Sequence, residues 1–111
     1  MSDCIFCKII AGEIPCKKVY EDENILAFHD INPVAETHIL VIPKKHIEGL
    51  NKLNNEDEQV MGKFMIGISK VAKELGLKGF KTVFNTGKEG GQTVFHIHAH
   101  ILGGKIHSFP L

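Results

Sequence analysis

Apolar and polar positions follow two different periods along this chain, and the points where the period changes outline its elements. Val19-Tyr20-Glu21 and Ile25-Leu26-Ala27-Phe28-His29 are short β-prone runs on either side of the turn formers Asp22-Glu23-Asn24, which predicts strand, turn, strand. Asp30-Ile31-Asn32-Pro33 ends the second run, because proline has no N–H to give to a ladder and restricts the residue before it. His38-Ile39-Leu40-Val41-Ile42 is apolar without a break after its histidine, as a central strand is, and Pro43 stops it. After Asn54-Asn55 the period becomes helical. Val60, Met61, Phe64, Met65, Ile68, Val71, Ala72 and Leu75 recur three and four residues apart, a stripe along one long helix that packs on a sheet. Asn55 with Glu58 three residues later has the form of a helix start, Glu56, Asp57 and Glu58 suit the positive end of the helix dipole, and Gly76 is the stop. Phe80-Lys81-Thr82-Val83-Phe84 predicts another strand before a glycine-rich loop, Gly87-Lys88-Glu89-Gly90-Gly91.

The next apolar segment carries the chemistry. In Phe95-His96-Ile97-His98-Ala99-His100-Ile101-Leu102 an extended chain places residues i, i+2 and i+4 on one face, so three imidazoles line one side. Phe95, Ile97, Ala99 and Ile101 then line the packing side. A helix would turn the middle histidine away from its neighbours, at roughly 100° per residue. Imidazole serves as nucleophile, general base or metal ligand, so these residues by themselves leave catalysis, metal binding and a plain polar face open. The preceding stretch, from Asn85 to Thr93, brings glycines and neutral donors beside the imidazoles if it forms a hairpin, an arrangement that suits a phosphate; an ordinary hairpin loop is the plainer reading. Cys4-Ile5-Phe6-Cys7 has the spacing of half a zinc site, with a redox pair as the competing account, and Cys16 has no partner at a useful distance.

Length and composition narrow the setting. A chain of 111 residues makes one domain, residues 1–111, and 43% hydrophobic residues with a mean hydropathy near zero describe an ordinary soluble globule. Thirteen basic residues balance thirteen acidic ones, so nothing draws this protein to nucleic acid or an anionic membrane, and any anionic ligand has to be recognised locally. The N-terminus lacks the basic start and apolar run of a secretion signal, no segment approaches the ~18 apolar residues of a membrane span, and three cysteines make a poor disulfide framework. A cytoplasmic protein is expected. The pattern as a whole predicts an α+β fold, a mainly antiparallel sheet of about five strands with one long helix on one face.

The run Gly91-Gln92-Thr93-Val94-Phe95-His96-Ile97-His98-Ala99-His100-Ile101-Leu102-Gly103-Gly104 resembles the signature of the histidine triad (HIT) superfamily, His-x-His-x-His followed by two apolar residues. Residues 9–15, 27–33 and 37–46 are similar to its Hint branch, and the resemblance spans essentially the whole chain. It implies hydrolysis at the α-phosphorus of a purine nucleotide, releasing the nucleoside monophosphate from an amine such as a phosphoramidate, or from an aminoacyl adenylate. On this chain it makes His98 the nucleophile that forms a nucleotidyl-imidazole intermediate, with its other ring nitrogen held by a backbone carbonyl of the same strand. His100 would touch the phosphate and assist the leaving group, His38 would support them, and Thr93 completes the catalytic set. Asn85, Gly91 and Thr93 would contact phosphate or leaving group, Asp30 the ribose, and Phe6, Phe28 and Ile31 the base. Taken singly, Phe28 reads as core and Asp30 as a turn residue. The resemblance also implies a structural zinc on Cys4, Cys7, His46 and His96 that the reaction does not need, and a homodimer joining its sheets edge to edge with residues 103–111 near the partner's site. A Fhit-like hydrolase of dinucleoside polyphosphates and a nucleotide- or metal-binding regulatory module are the rival readings. His29 and His107 remain unassigned.

Overall fold

In the computed structural model residues 3–106 are described. A short helix α1 (Ile5–Ile10) leads into β1 (Lys18–Glu21), β2 (Ile25–His29) and β3 (Ala35–Pro43), followed by the long helix α2 (Glu58–Glu74), β4 (Lys81–Val83) and β5 (Ala99–Ile106). The strands form one five-stranded sheet in the order β1-β2-β3-β5-β4, with every neighbouring pair antiparallel. This is the α+β architecture that the hydrophobic pattern predicts.

Both faces of the sheet are covered, which explains the unbroken apolar run of β3. Ile25, Ala27, Ile39, Val41, Ala99 and Ile101 point at Phe64, Ile68 and Val71 of α2. Leu26, Phe28, Leu40 and Ile42 alternate to the other face and pack with Phe6 of α1. The long helix thus supports one side of the sheet, while the opposite side, closed in part by α1, is available for a site. α1 itself was not legible as a helix; its first turn is capped by the Cys4 sulfur, which accepts from the Cys7 N–H at 3.3 Å.

Several boundaries depart from expectation. The cap that precedes α2 is Asn54 with Asp57, and not Asn55 with Glu58: the Asn54 side chain accepts from Glu56 N–H and the Asp57 carboxylate accepts from Asn54 N–H, around a single 3₁₀ turn at Asn55–Asp57. Asp57 is fixed one residue earlier because it is buried and also takes the Lys45 ammonium at 3.0 Å. Gly76, at φ +70°, does end the helix, and the bonds Gly76 N–H to Lys73 O and Leu77 N–H to Ala72 O satisfy its last carbonyls. Met65 does not join the packed stripe; it is 51% exposed, and the face includes Gly67 instead, pressed against Ile25.

The histidine segment is only partly a strand. β5 begins at Ala99, so His100 lies in the ladder while His96 and His98 precede it, and Phe95 faces solvent at 46% exposure instead of packing. Pairing ends at Val41↔Ala99; beyond that point Ile97 N–H binds Ile47 O at 2.6 Å and the His96 ring binds Pro43 O, irregular stitches that replace a ladder.

Candidate functional site

His98 sits at the entrance to β5, buried to 7% exposure, with the Phe6 ring nearly perpendicular to it at 5.1 Å between centroids. Its Nδ1 lies 2.8 Å from the carbonyl of His96, so Nδ1–H donates and Nε2 is left with its lone pair. Burial lowers the pKa of His98 from its ordinary value, against weaker upward pulls from the His96 carbonyl and from Asp30. The ring is therefore a neutral imidazole at neutral pH.

Register brings two more histidines to this face. β3 pairs Leu40 with His100 and His38 with Leu102, so the His38 and His100 side chains lie diagonally across two strands, and His38 Nε2 is 2.9 Å from His100 Nδ1. The Asp30 carboxylate is 3.3 Å from the same His38 Nε2, and the Val34 N–H donates to His38 Nδ1 at 3.1 Å. Burial pushes the His100 pKa down to about 4, with help from His98 and His38, and burial also lowers that of His38 against the pull of Asp30.

The other expected site residues fall into three groups. Phe28 is buried with its ring 5.7 Å from that of Phe6, so both aromatic positions form one wall next to His98. Asp30 begins an Asx turn, accepting from Asn32 N–H at 2.7 Å, which makes it both the turn residue and a neighbour of His38. Ile31, at the tip of that turn, is 91% exposed and packs into no wall. Asn85 donates to Gly90 O at 2.9 Å and thereby closes the loop in which Gly91 adopts φ +85°. Thr93 is exposed and lines a cleft of about 370 Å³ with Asp3, Cys4, Ile5, His46, Val94 and Phe95, a lining that contains neither His98 nor His100.

Sequence reasoning missed Gln92. This buried amide donates to Glu48 O at 2.6 Å and Val94 O at 3.0 Å and accepts from Gly87 N–H at 2.8 Å, clamping the glycine loop to the segment after β3. Its one visible signal was a polar residue between Gly91 and Thr93, and nothing local marks that as buried. Val34 was missed for a related reason: it acts through its backbone.

Beside this row lies a second cluster, joined to it by the Phe6 ring, which packs on His96 as well as on His98. Cys4 Sγ and Cys7 Sγ stand 3.3 and 3.6 Å from His96 Nδ1, Cys7 Sγ is 3.4 Å from His46 Nδ1, and the two Nδ1 atoms are 3.2 Å apart. All four donor atoms lie within 4.8 Å of one another, a group that could hold a metal ion. His96 Nε2–H donates to Pro43 O at 2.8 Å, which leaves its Nδ1 lone pair facing the cluster. Burial pushes the Cys7 thiol up to about 11, with Cys4 adding to it, and pushes His96 down to about 4. Asp30, His38 and His100 also place three donor atoms within 4.8 Å.

A five-stranded antiparallel sheet with one long helix behind it and a row of neutral histidines in front defines a class of protein, and comparison with known proteins agrees. The profile of the HIT domain matches residues 11–107. Protein HitA of Neisseria gonorrhoeae is 52% identical over 104 residues, covering 93% of this chain and 97% of its own. Among solved structures, a HIT family hydrolase from Legionella pneumophila is 49% identical with a TM-score of 0.90, covering 97% of this chain and 98% of its own. A histidine triad protein from Clostridium difficile, also 49% identical, superposes with a TM-score of 0.91 over 100% of this chain and 96% of its own. The chain belongs to the HIT domain family.

Proposed function

We propose that this protein is a nucleotide hydrolase of the Hint type, cleaving purine nucleoside phosphoramidates or aminoacyl adenylates at the α-phosphorus through His98. The observation that carries the reading is the pairing of His98 Nδ1–H with the His96 carbonyl, which leaves an unprotonated Nε2 on a buried, neutral ring. In the first step the Nε2 lone pair forms a bond to phosphorus and the bond to the leaving group breaks, phosphorus–nitrogen in a phosphoramidate and phosphorus–oxygen in an aminoacyl adenylate; an amine leaves hydrogen-bonded to the His100 N–H and takes its proton from water. In the second, water adds to phosphorus, returns its proton to the solvent, and the bond to His98 breaks, releasing the monophosphate and restoring the imidazole. Two easier displacements replace one difficult one. Asn85, Gly91 and Thr93 belong to one loop and would supply donors to the phosphoryl oxygens, Asp30 would meet the ribose, and Phe6 and Phe28 with Ile31 the purine. An exposed Ile31 suits that role, since a base laid on it would cover apolar surface.

Zinc is the metal this donor set fits. Tetrahedral zinc with nitrogen and sulfur ligands spaces two nitrogens about 3.3 Å apart and nitrogen from sulfur about 3.6 Å, close to the 3.2 Å and the 3.3–3.6 Å found for Cys4, Cys7, His46 and His96. Bound there, the ion would be a structural cross-link between α1, the segment after β3 and the histidine row, with all four positions filled by protein. Dimerisation through a sheet edge would use β1 or β4, the terminal strands; of the stretch proposed to approach the partner's site, residues 103–111, the part from 107 onward lies outside the described residues.

The test is intact mass spectrometry after brief mixing with adenosine phosphoramidate and quenching without acid. An added nucleoside monophosphate on the unaltered protein and none on His98→Asn, which also loses turnover, is the expected result. Rapid turnover with no adduct would mean direct attack by water. Preference for a dinucleoside polyphosphate would favour the Fhit-like reading, and ligand retained intact would favour a binding module.

A further inference from the structure

The loop between β2 and β3 closes on His38 from two directions. Asp30 N–H binds the His38 carbonyl at 3.0 Å, and Val34 N–H binds the ring at Nδ1. An amide that donates to Nδ1 requires a lone pair there, so a neutral His38 must carry its proton on Nε2. The Nε2–H has two acceptors in front of it, His100 Nδ1 at 2.9 Å and the Asp30 carboxylate at 3.3 Å. His100 Nδ1, accepting that bond, cannot hold a proton when its ring is neutral, and the remaining proton of His100 sits on Nε2. The opposite arrangement would set a His38 Nδ1–H against the Val34 N–H and a bare Nε2 against the Asp30 carboxylate. Both contacts are repulsive.

We infer that the backbone N–H of Val34 is a positioning group for the proposed reaction: acting through His38, it holds His100 in the tautomer whose Nε2–H faces outward as the hydrogen-bond donor to the leaving group. The inference deepens the hydrolase reading and rests on it for its catalytic consequence, while the tautomers themselves stand independently of any substrate. Side-chain identity at position 34 is unimportant to this role, because the donor is main chain; what matters is that the proline of this loop is Pro33 and not residue 34. The same proton lies amid the three donor atoms of Asp30, His38 and His100, where a cation would otherwise have to sit.

Two measurements test it. Ring nitrogen shifts of the uniformly ¹⁵N-labelled protein at neutral pH, without substrate, should show His38 and His100 both protonated at Nε2 and bare at Nδ1; a proton on Nδ1 of either ring overturns the inference whatever the protein hydrolyses. Replacing Val34 by its α-hydroxy acid, which exchanges one N–H for an ester oxygen, should slow turnover of an adenosine phosphoramidate by about 10-fold or more. Turnover of the p-nitrophenyl ester of the same nucleotide, whose leaving group needs no proton, should change by less than about 2-fold. Equal slowing of both substrates would reduce Val34 to a structural contact and overturn the inference. If the unaltered protein turns over neither substrate, the hydrolase reading fails, and the nitrogen shifts still decide the tautomers.

Discussion

At His100 a buried imidazole ties acid stability to the site. Its pKa is pushed down to about 4, so between pH ~6.5 and 4 the unfolded chain binds a proton that the folded chain refuses. The contribution is complete above pH ~6.5 and is lost as the pH falls through the folded value, on the order of 2 kcal/mol once the ring's partial contact with solvent is allowed for. Urea midpoints taken at pH 7, 5 and 4 should therefore decline, and His100→Asn should flatten that decline without removing it, because His96 is lowered to about 4 as well. A separate loss belongs between pH ~4.5 and 2, where the unfolded chain protonates Glu21 while the folded chain, whose Glu21 is held down to about 2 by its hydrogen bonds to Lys18 and Lys44, does not. For catalysis the same depression keeps His98 unprotonated below the usual histidine range, so the acid limb of kcat/KM should lie below pH ~6.5.

Along α2 the helix periodicity marked most of the buried face, and two glycines show what it could not resolve. Gly62 looks into open space, whereas a Cβ on Gly67 would stand 2.5 Å from Ile25 Cδ1, with Ile25 itself fully buried. Both substitutions to alanine gain the same helix propensity, about 1 kcal/mol. Gly62→Ala should accordingly stabilise the fold by about 0.5–1 kcal/mol, read as a higher denaturation midpoint, and Gly67→Ala should lower that midpoint, because overpacking a closed core costs about 1–3 kcal/mol. A stabilised Gly67→Ala would show that Ile25 can repack. The element boundaries teach a similar lesson. Asn54 and Asn55 are equally good caps by residue type, and the choice fell to Asn54 because the burial and ion pair of Asp57 fix the turn one residue earlier.

For the molecule as a whole, α1 and its cap face two ways: Cys4 and Cys7 belong to the metal-like cluster while Phe6, between them, packs on His98. Chelation of the zinc-loaded protein should lower its melting temperature, since a ligand present at ~100 times its Kd stabilises by about 2.7 kcal/mol. In the proposed mechanism no step uses the ion, so kcat at 25 °C should persist while KM rises as α1 and the Phe6 wall loosen. Loss of kcat in step with zinc would contradict a structural role. Scanning calorimetry and steady-state assays on the same samples separate the two.

The sequence alone determined whatever is written in periodicity and residue chemistry. Alternation and helical spacing indicated most of the strands, the long helix and the α+β class, and the triad pattern, by its likeness to a family, named the candidate site. Cys4 and Cys7 read locally as half a metal site, and only the likeness to a family pointed to His46 and His96, which the fold brings beside them. Tertiary structure alone decided which contacts form between residues far apart in the chain: the end of the ladder at Ala99, the burial of Gln92 as a clamp, the exposure of Ile31 and Phe95, and the donation of the Val34 amide to His38. Those depend on where β3 and its loops pass β5, and a backbone N–H carries no residue type by which its partner could be foreseen.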